Sequence, residues 1–225
     1  MNIVGLIPYW SKYENAADIN VPRNLIKVGG KYLINYSLEA LGAVEEINDV
    51  VIYTSSKEIE NYIDTGMKYH IQKRPETLDD VNVSIEEIIL KFLESSDADI
   101  IVLLHPNSPF LKSATISECV KKVMLEEYDS SFTGYEFHKF AWFQGKPLNY
   151  SQDKKVPLVN SVEPVVFEQS SLYVFSRSMF EKLHRRIGDK PFVKVIDHFE
   201  GHDVNSKEDL DVAELIVNSG MYTNL

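Results

Sequence analysis

Residues 99–104 have the sequence DIIVLL, and residues 105–109, which follow directly, have the sequence HPNSP. A short apolar run that is rich in β-branched residues and is stopped by two prolines predicts a strand buried on both faces. Strands of this kind belong to parallel sheets that helices cover on both sides. This strand is the most hydrophobic in the sequence, so we expect it at the centre of the sheet.

Apolar runs alternate with helical patterns on both sides of this central strand. Further strands are predicted at residues 3–7, 50–53, 69–71, 172–175 and 192–196, and helices at residues 32–44, 57–64, 83–93, 114–127, 178–187 and 206–217. Between residues 130 and 150, short aromatic segments predict further strands and a hairpin over Gly145-Lys146-Pro147. Repeated strand–helix units predict an α/β fold with a doubly wound, mostly parallel sheet in one domain.

The composition excludes several classes of partner. The 225 residues carry 23 Lys and Arg against 34 Asp and Glu, a net charge of −11. A charge this negative argues against a nucleic-acid or anionic-membrane surface, because both need a basic field. The single cysteine, Cys119, excludes an intrachain disulfide and a zinc site built from cysteines. With no signal-like N-terminus and no apolar run long enough for a membrane span, we expect a cytoplasmic protein.

Cationic and polar residues follow several of the predicted strands. In a doubly wound sheet, ligands bind outside the carboxyl ends of the strands. The first strand is followed by Pro8 and by a long loop that contains Lys12 and Arg23, a later strand by Arg74, and the central strand by His105. The length of this first loop does not distinguish between two roles: it fits a loop that wraps a ligand as well as it fits a solvated surface loop.

The segment HDVNS at residues 202–206 offers a carboxylate near the C-terminus. If the segment is extended, Asp203 and Asn205 share one face and present two oxygen ligands to a cation such as Mg²⁺. Alternatively, Asn205 or Ser206 caps the following helix, which we favour and which leaves Asp203 as the freer carboxylate. Several cations and a carboxylate together fit a nucleoside triphosphate with Mg²⁺, whereas the sequence has neither a GxxxxGK[ST] nor a GxGxxG motif.

Six segments, in their order along the chain, resemble one known family. They are VPRNLIKVGGKYLINYSLEAL at 21–41, VVIYTSSKEI at 50–59, KRPETL at 73–78, IVLLHPNSPFLK at 101–112, FEQSSLYVF at 167–175 and HDVNSKEDLDVAE at 202–214. The fourth is similar to Leu-Leu-Gln-Pro-Thr-Ser-Pro-Leu-Arg, and the last to Asp-Ile-Asp-Thr-Glu-x-Asp-Leu-x-x-Ala-Glu. This order and spacing resemble the acylneuraminate cytidylyltransferases, the CMP-sialic acid synthetases and their relatives.

The resemblance implies a fold, a reaction and an assembly. The fold is a single cytidylyltransferase-like domain over residues 1–225, similar to nucleotide-diphospho-sugar transferases. Residues 137–165 would form a small β-hairpin extension that builds a homodimer. The implied activity transfers CMP from CTP to a hydroxyl of an acidic sugar and releases pyrophosphate, with Mg²⁺ as cofactor, in glycan or surface-polysaccharide biosynthesis.

The resemblance also assigns roles to individual residues. The implied nucleotide-binding residues are Pro8, Arg23, Asn24, Arg74 and Ser84. The implied acceptor-binding residues are His105 and Tyr173. The implied metal ligands are Asp203 and Asn205, and the implied catalytic residues are Lys12, Arg23 and Asp203.

Several site positions depart from the family pattern. The first loop lacks the expected arginine, His105 stands where the family has Gln, and Asn205 stands where it has a second Asp. These departures keep two other hypotheses open. One is a binding or regulatory dimer with little activity. The other is a nucleotide-sugar glycosyltransferase, since Asp203-Val204-Asn205 loosely resembles a DxD metal motif.

Overall fold

A computed structural model gives the fold of residues 1–9 and 25–220. Its strands are β1 (Ile3–Tyr9), β2 (Lys27–Val28), β3 (Lys31–Tyr32), β4 (Asp49–Thr54), β5 (His70–Lys73), β6 (Ile100–Leu104), β7 (Ser130–Phe137), β8 (Trp142–Phe143), β9 (Lys146–Pro147), β10 (Val165–Ser176) and β11 (Pro191–Val195). Its α-helices are α1 (Leu33–Gly42), α2 (Ile85–Leu93), α3 (Ser113–Met124), α4 (Arg177–Leu183) and α5 (Lys207–Asn218).

Seven strands form one sheet in the order β11-β7-β10-β6-β1-β4-β5. Six of them run parallel, and β10 alone runs antiparallel to its neighbours β6 and β7. All five residues of β6 are buried, and the strand lies fourth of seven. The prediction of an α/β fold with a mostly parallel sheet around the DIIVLL strand is therefore confirmed.

Helices cover both faces of the sheet. On one face, Leu38 and Leu41 of α1 and Val120 of α3 pack in one buried cluster with alternate sheet residues. On the other face, Ile89 and Phe92 of α2 belong to a second cluster. A third cluster joins α5 to β2 and α1 and includes the fully buried Val204. Because each strand alternates its side chains between two dry layers, both faces contribute to the hydrophobic core.

Two helices begin at capping boxes that are visible in the sequence. The Ser84 hydroxyl accepts a hydrogen bond from the Glu87 amide, and the Glu87 carboxylate accepts one from the Ser84 amide. Ser206 and Asp209 repeat this arrangement at the start of α5. Each pair satisfies amide groups that the first helical turn leaves without partners. The predicted cap is thus confirmed for Ser206.

Two predicted helices are wrong in extent. Residues 57–64 form only a short 3₁₀ turn at Ile59–Tyr62, in which Ile59 is the one buried residue, so too little apolar surface supports a longer helix. The helix predicted at 178–187 ends at Leu183, because His184 adopts a left-handed conformation with φ of 52°.

Two strands run further than predicted. β1 continues through Pro8 to Tyr9; its register with β6 ends at Leu6, so one side of Pro8 has no neighbouring strand among the described residues. β10 begins at Val165, well before the predicted start at Leu172. Its register with β7 shifts between Gln169 and Tyr173, which pair with the adjacent residues Thr133 and Phe132. This bulge interrupts the alternation on which the strand prediction relied.

The hairpin predicted over Gly145-Lys146-Pro147 forms between β8 and β9. Both turn residues, Gln144 and Gly145, have positive φ angles of 49° and 76°. A two-residue turn with both φ angles positive matches the right-handed twist of a tight hairpin, and it favours glycine at the second position. Among residues 1–9 and 25–220, no helix is both long and apolar enough to cross a membrane.

Candidate active site

The candidate site lies at the carboxyl edge of the parallel strands. The antiparallel strand β10 begins at this same edge, so its first residues meet the loop that follows β6. The His105 amide, the first after β6, donates a hydrogen bond of 2.9 Å to the Ser171 carbonyl. This pairing joins the HPNSP loop to the polar half of β10.

Asp203 is held at this edge by hydrogen bonds to one of its two carboxylate oxygens. Its Oδ1 accepts from the Gln169 amide nitrogen at 2.8 Å, from the Ser171 hydroxyl at 2.9 Å and from the Ser108 hydroxyl. Its Oδ2 accepts no hydrogen bond from any residue that the structure describes. The expectation that Asp203 is the freer carboxylate is therefore wrong for Oδ1, because the loop after β6 and two residues of β10 converge on that atom.

Gln169 anchors this arrangement and was missed by sequence reasoning. Its side chain is buried, and its Oε1 accepts from the Thr133 hydroxyl at 2.8 Å. Its Nε2 also donates to the Gly201 carbonyl at 3.2 Å. Because its amide oxygen is fixed by β7, its nitrogen is aimed at the loop that contains Asp203. The available signal in FEQSSLYVF was the run of polar residues EQSS directly before the apolar half of the strand.

The environment of Asp203 changes the affinity of its carboxyl group for a proton. Burial raises the pKa of Asp203, while the hydrogen bonds from Ser108 and Ser171 oppose the rise. A cation at the other carboxylate oxygen would relieve the cost of burying this charge.

Asn205 lies beside the same loop but has a different partner. Its Oδ1 accepts a hydrogen bond of 2.9 Å from the Asn107 side chain. The Val204 amide donates to the Asn107 carbonyl at 2.8 Å, which fixes the segment between the two candidate metal ligands. The structure therefore places Asp203 and Asn205 next to Ser108 and Asn107, which follow the central strand.

His105 and Tyr173, the two predicted acceptor-binding residues, lie in a second polar cluster at the edge. The Tyr173 hydroxyl donates to the Glu168 carboxylate, and the guanidinium carbon of Arg186 lies 4.3 Å from the centre of the Tyr173 ring. Burial and, to a lesser extent, the charge of Arg186 lower the pKa of His105 to about 4. Burial is also the largest cause that raises the pKa of Tyr173 to about 12. His105 and Tyr173 are thus both neutral at pH 7.

The predicted nucleotide-binding residues have varied surroundings. Arg74 is fully buried and donates to Asp79 over 2.5 Å, and Asp79 also accepts from the Ser55 hydroxyl. The Ser84 hydroxyl caps α2, and Pro8 is buried within β1. Lys12, Arg23 and Asn24 lie outside the described residues.

The donor chemistry fits Mg²⁺ through Asp203. Within residues 1–9 and 25–220, no group of three or more His, Cys, Asp and Glu side chains is arranged to hold a metal ion. Mg²⁺ is commonly held by one or two carboxylates together with substrate phosphates, and does not need a cage made wholly of protein. The anchored Asp203 carboxylate is one ligand of this kind.

The comparison of sequences identifies the family. The profile of the cytidylyltransferase family matches residues 22–197, which is most of the chain. The chain therefore belongs to the cytidylyltransferase family. Two curated relatives are the N-acylneuraminate cytidylyltransferase A of Danio rerio, 26% identical over 121 residues, and the N-acylneuraminate cytidylyltransferase of Oncorhynchus mykiss, 24% identical over 172 residues.

These relatives are longer proteins. The matched segments cover 53% and 72% of this chain but only 28% and 39% of the respective relatives. The chain thus spans less than half the length of either relative. The resemblance drawn from the six sequence segments is confirmed at the level of the family.

Solved structures share the fold. A CMP:2-keto-3-deoxy-manno-octonic acid synthetase complexed with CTP covers 98% of this chain with a TM-score of 0.68 and 13% identity. The 4-diphosphocytidyl-2C-methyl-D-erythritol synthase of Anaerococcus prevotii covers 96% with a TM-score of 0.62 and 15% identity. At this level of identity, the likeness extends to the fold alone.

Proposed function

We propose that this protein transfers CMP from CTP to a hydroxyl group of an acidic sugar and releases pyrophosphate. The observation that carries the proposal is the Asp203 carboxylate, which Gln169, Ser171 and Ser108 hold at the carboxyl edge of the sheet. Family membership supports the nucleotide, and the names of the two curated relatives support the acidic sugar.

The reaction forms one bond at phosphorus and breaks another. The acceptor oxygen attacks the α-phosphorus of CTP in line, the bond to the pyrophosphate oxygen breaks, and the acceptor hydroxyl loses its proton. Asp203 would hold Mg²⁺ through Oδ2, with Asn205 as a neutral neighbour. When bound, Mg²⁺ supplies positive charge against the triphosphate and the departing pyrophosphate.

This chain's own cations would add to that charge. Lys12 and Arg23 are assigned to the triphosphate, and Arg74 and Ser84 to the border of the nucleotide pocket, with Pro8 and Asn24. Preorganised positive groups near a departing pyrophosphate stabilise the transition state more than the ground state. The acceptor would lie against His105 and Tyr173.

We also propose that the segment at residues 137–165 builds a homodimer. Its hairpin exposes Trp142 and Phe143, whose side chains are 54% and 63% accessible, and Phe167 on the adjoining strand is 53% accessible. Exposed large apolar side chains that are contiguous along the chain are typical of interaction surfaces. The cytoplasmic location and the role in glycan biosynthesis remain predictions of the sequence.

The central test is CTP-dependent release of pyrophosphate. Protein with CTP and MgCl₂ is offered N-acetylneuraminate or 2-keto-3-deoxy-manno-octonate, and pyrophosphate is measured by a coupled assay. We expect turnover with at least one acid and a loss of roughly 100-fold in kcat/KM for Asp203→Asn. Asp211→Asn is the matched control, because Asp211 is exposed and pairs only with Lys207 on α5 among the described residues.

Other outcomes would contradict the proposal. If calorimetry detects no CTP binding with Mg²⁺, the nucleotide assignment is wrong. Binding of CTP without turnover of any acidic sugar would favour a binding or regulatory dimer. Stabilisation by UDP- or GDP-sugars, without stabilisation by CTP, would favour a glycosyltransferase.

A further inference from the structure

Arg186 lies between α4 and β11, outside the six segments that carry the family resemblance. Its Nε donates a hydrogen bond of 2.9 Å to the Glu86 carboxylate in the first turn of α2. Its guanidinium lies over the Tyr173 ring, 4.3 Å from the centre. Two elements that are distant in sequence thus fix both the edge and the face of one guanidinium.

These contacts leave part of the guanidinium available. Glu86 occupies Nε and Tyr173 occupies one face, while Nη1 and Nη2 donate no hydrogen bond to any residue in the described ranges. The side chain is 24% accessible, so it lies partly in solvent. Two parallel N–H donors on a rigid plane match the two oxygens of a carboxylate, and their prior fixation lowers the entropy lost on binding.

The location connects this guanidinium to the candidate site. Its charge acts on His105, the first residue after the central strand, and its ring partner Tyr173 is on the neighbouring strand β10. Glu168, the other carboxylate of the cluster, accepts from the Tyr173 hydroxyl and forms no ion pair with Arg186. The cluster therefore offers donors for an anion at Arg186 and an acceptor for a hydroxyl group at Glu168.

We propose that Arg186 binds the carboxylate of the acceptor through Nη1 and Nη2 and selects for acidic acceptors. This inference rests on the proposed function. It assigns the acid-recognising cation to a segment that the family motifs do not include. Glu86 acts as a positioning residue, since it reaches the acceptor only through the guanidinium that it orients. Tyr173 also orients this guanidinium, and it keeps its proposed role as an acceptor-binding residue.

The test compares an acid with its own ester. KM and kcat are measured for N-acetylneuraminate, for its methyl ester and for 2-keto-3-deoxy-manno-octonate, and the Kd of CTP is measured by calorimetry. We expect Arg186→Gln to raise the KM of the better acid about 10- to 100-fold. The same change should leave the KM of the ester and the Kd of CTP within about twofold. Arg186→Lys keeps the charge without the planar pair of donors. Its KM for the acid should lie between that of the unaltered protein and that of Arg186→Gln.

Arg185→Gln is the matched control. It removes the same charge at the neighbouring position, where the half-exposed side chain pairs with Asp189 on the surface. We expect it to leave the KM and kcat of all three acceptors and the Kd of CTP unchanged. Thermal unfolding and circular dichroism establish whether each variant is folded. If Arg186→Gln does not fold, Arg186→Lys still tests the proposal.

Three results would overturn the proposal. One is an unchanged KM for the acid in folded Arg186→Gln. Another is an ester that the unaltered protein uses as well as the acid. The third is bound CTP without turnover of either acid. Failure to bind CTP at all would instead overturn the proposed function itself, and this proposal with it.

Discussion

The side-chain amide of Gln169 donates a hydrogen bond of 2.8 Å to Oδ1 of Asp203, 34 residues further along the chain. Gln169 lies in strand β10 of the sheet, whereas Asp203 lies in the loop before α5, the last helix. Because Gln169 is itself fixed by Thr133, the sheet contributes directly to the position of the carboxylate.

The first prediction concerns this bond. Gln169→Met keeps the length of the side chain and removes its donor, so Asp203 loses one of the groups that orient it. We expect the affinity for Mn²⁺, measured by electron paramagnetic resonance with CTP present, to fall about 10-fold or more. Gln72→Met is the control, since the side chain of Gln72, at the edge of the sheet, bonds only Ser95 among the described residues. Unchanged Mn²⁺ affinity in folded Gln169→Met would show that Asp203 is oriented without this bond.

The second prediction concerns pH. The pKa of His105 in the folded protein is about 4, below the ordinary value of 6.5, so the unfolded chain binds a proton more readily than the folded one. Stability from this residue is therefore present above pH 6.5 and is lost as the pH falls toward 4. Between pH 7 and 4.5, the free energy of unfolding should fall by about 2 kcal/mol more in the unaltered protein than in His105→Gln. Denaturant titrations at both values measure this, and parallel pH profiles would contradict it.

The third prediction concerns the buried ion pair of Arg74 and Asp79. Asp79→Ala leaves a guanidinium in the interior without the carboxylate that it contacts at 2.5 Å. We expect the free energy of unfolding to fall by about 3 kcal/mol or more, as measured by urea denaturation. Glu181→Ala, which breaks the exposed pair with Arg177, should cost less than about 1 kcal/mol. Equal losses in the two variants would show that burial adds nothing to the Arg74 pair.

The fourth prediction concerns assembly. Light scattering should give the mass of two chains for the unaltered protein, and that of one chain for the double variant Trp142→Glu/Phe143→Lys at the same concentration. The charges would remain hydrated instead of being buried at the interface. Leu215→Glu changes an equally exposed residue on α5 and should leave the dimer intact. A monomeric unaltered protein would exclude the proposed role of the hairpin.

Much of the fold could be predicted because its signals are local. The run DIIVLL at residues 99–104 is apolar throughout, and Ser206 with Asp209 forms a capping box within four residues. Neither signal needs knowledge of distant neighbours. The helix predicted at residues 57–64 failed for the opposite reason. The sequence pattern there was helical, but the rest of the protein buries only Ile59 of this turn, which is too little to support a helix.

The candidate site was only partly predictable because its contacts are long-range. Asp203 was identified from its segment, whereas its anchor Gln169 is separated from it by a helix, a strand and two loops. Arg186 meets Glu86 across 100 residues, and no pattern around either residue indicates the other. Ser171, which contacts Asp203, lies within the bulge of β10, and this bulge broke the alternation from which strands are predicted.

That bulge in β10 has a consequence for how the enzyme could diverge. Gln169 and Ser171 donate hydrogen bonds to Asp203. Within the same six residues, Tyr173 contacts the Arg186 guanidinium and donates a hydrogen bond to Glu168. The two sets of contacts share a strand but no side chain. Substitutions at residues 168, 173 and 186 could therefore exchange one acceptor for another while the phosphate chemistry is inherited unchanged. Related proteins could thus change the proposed acceptor while the contacts that hold Asp203 stay the same.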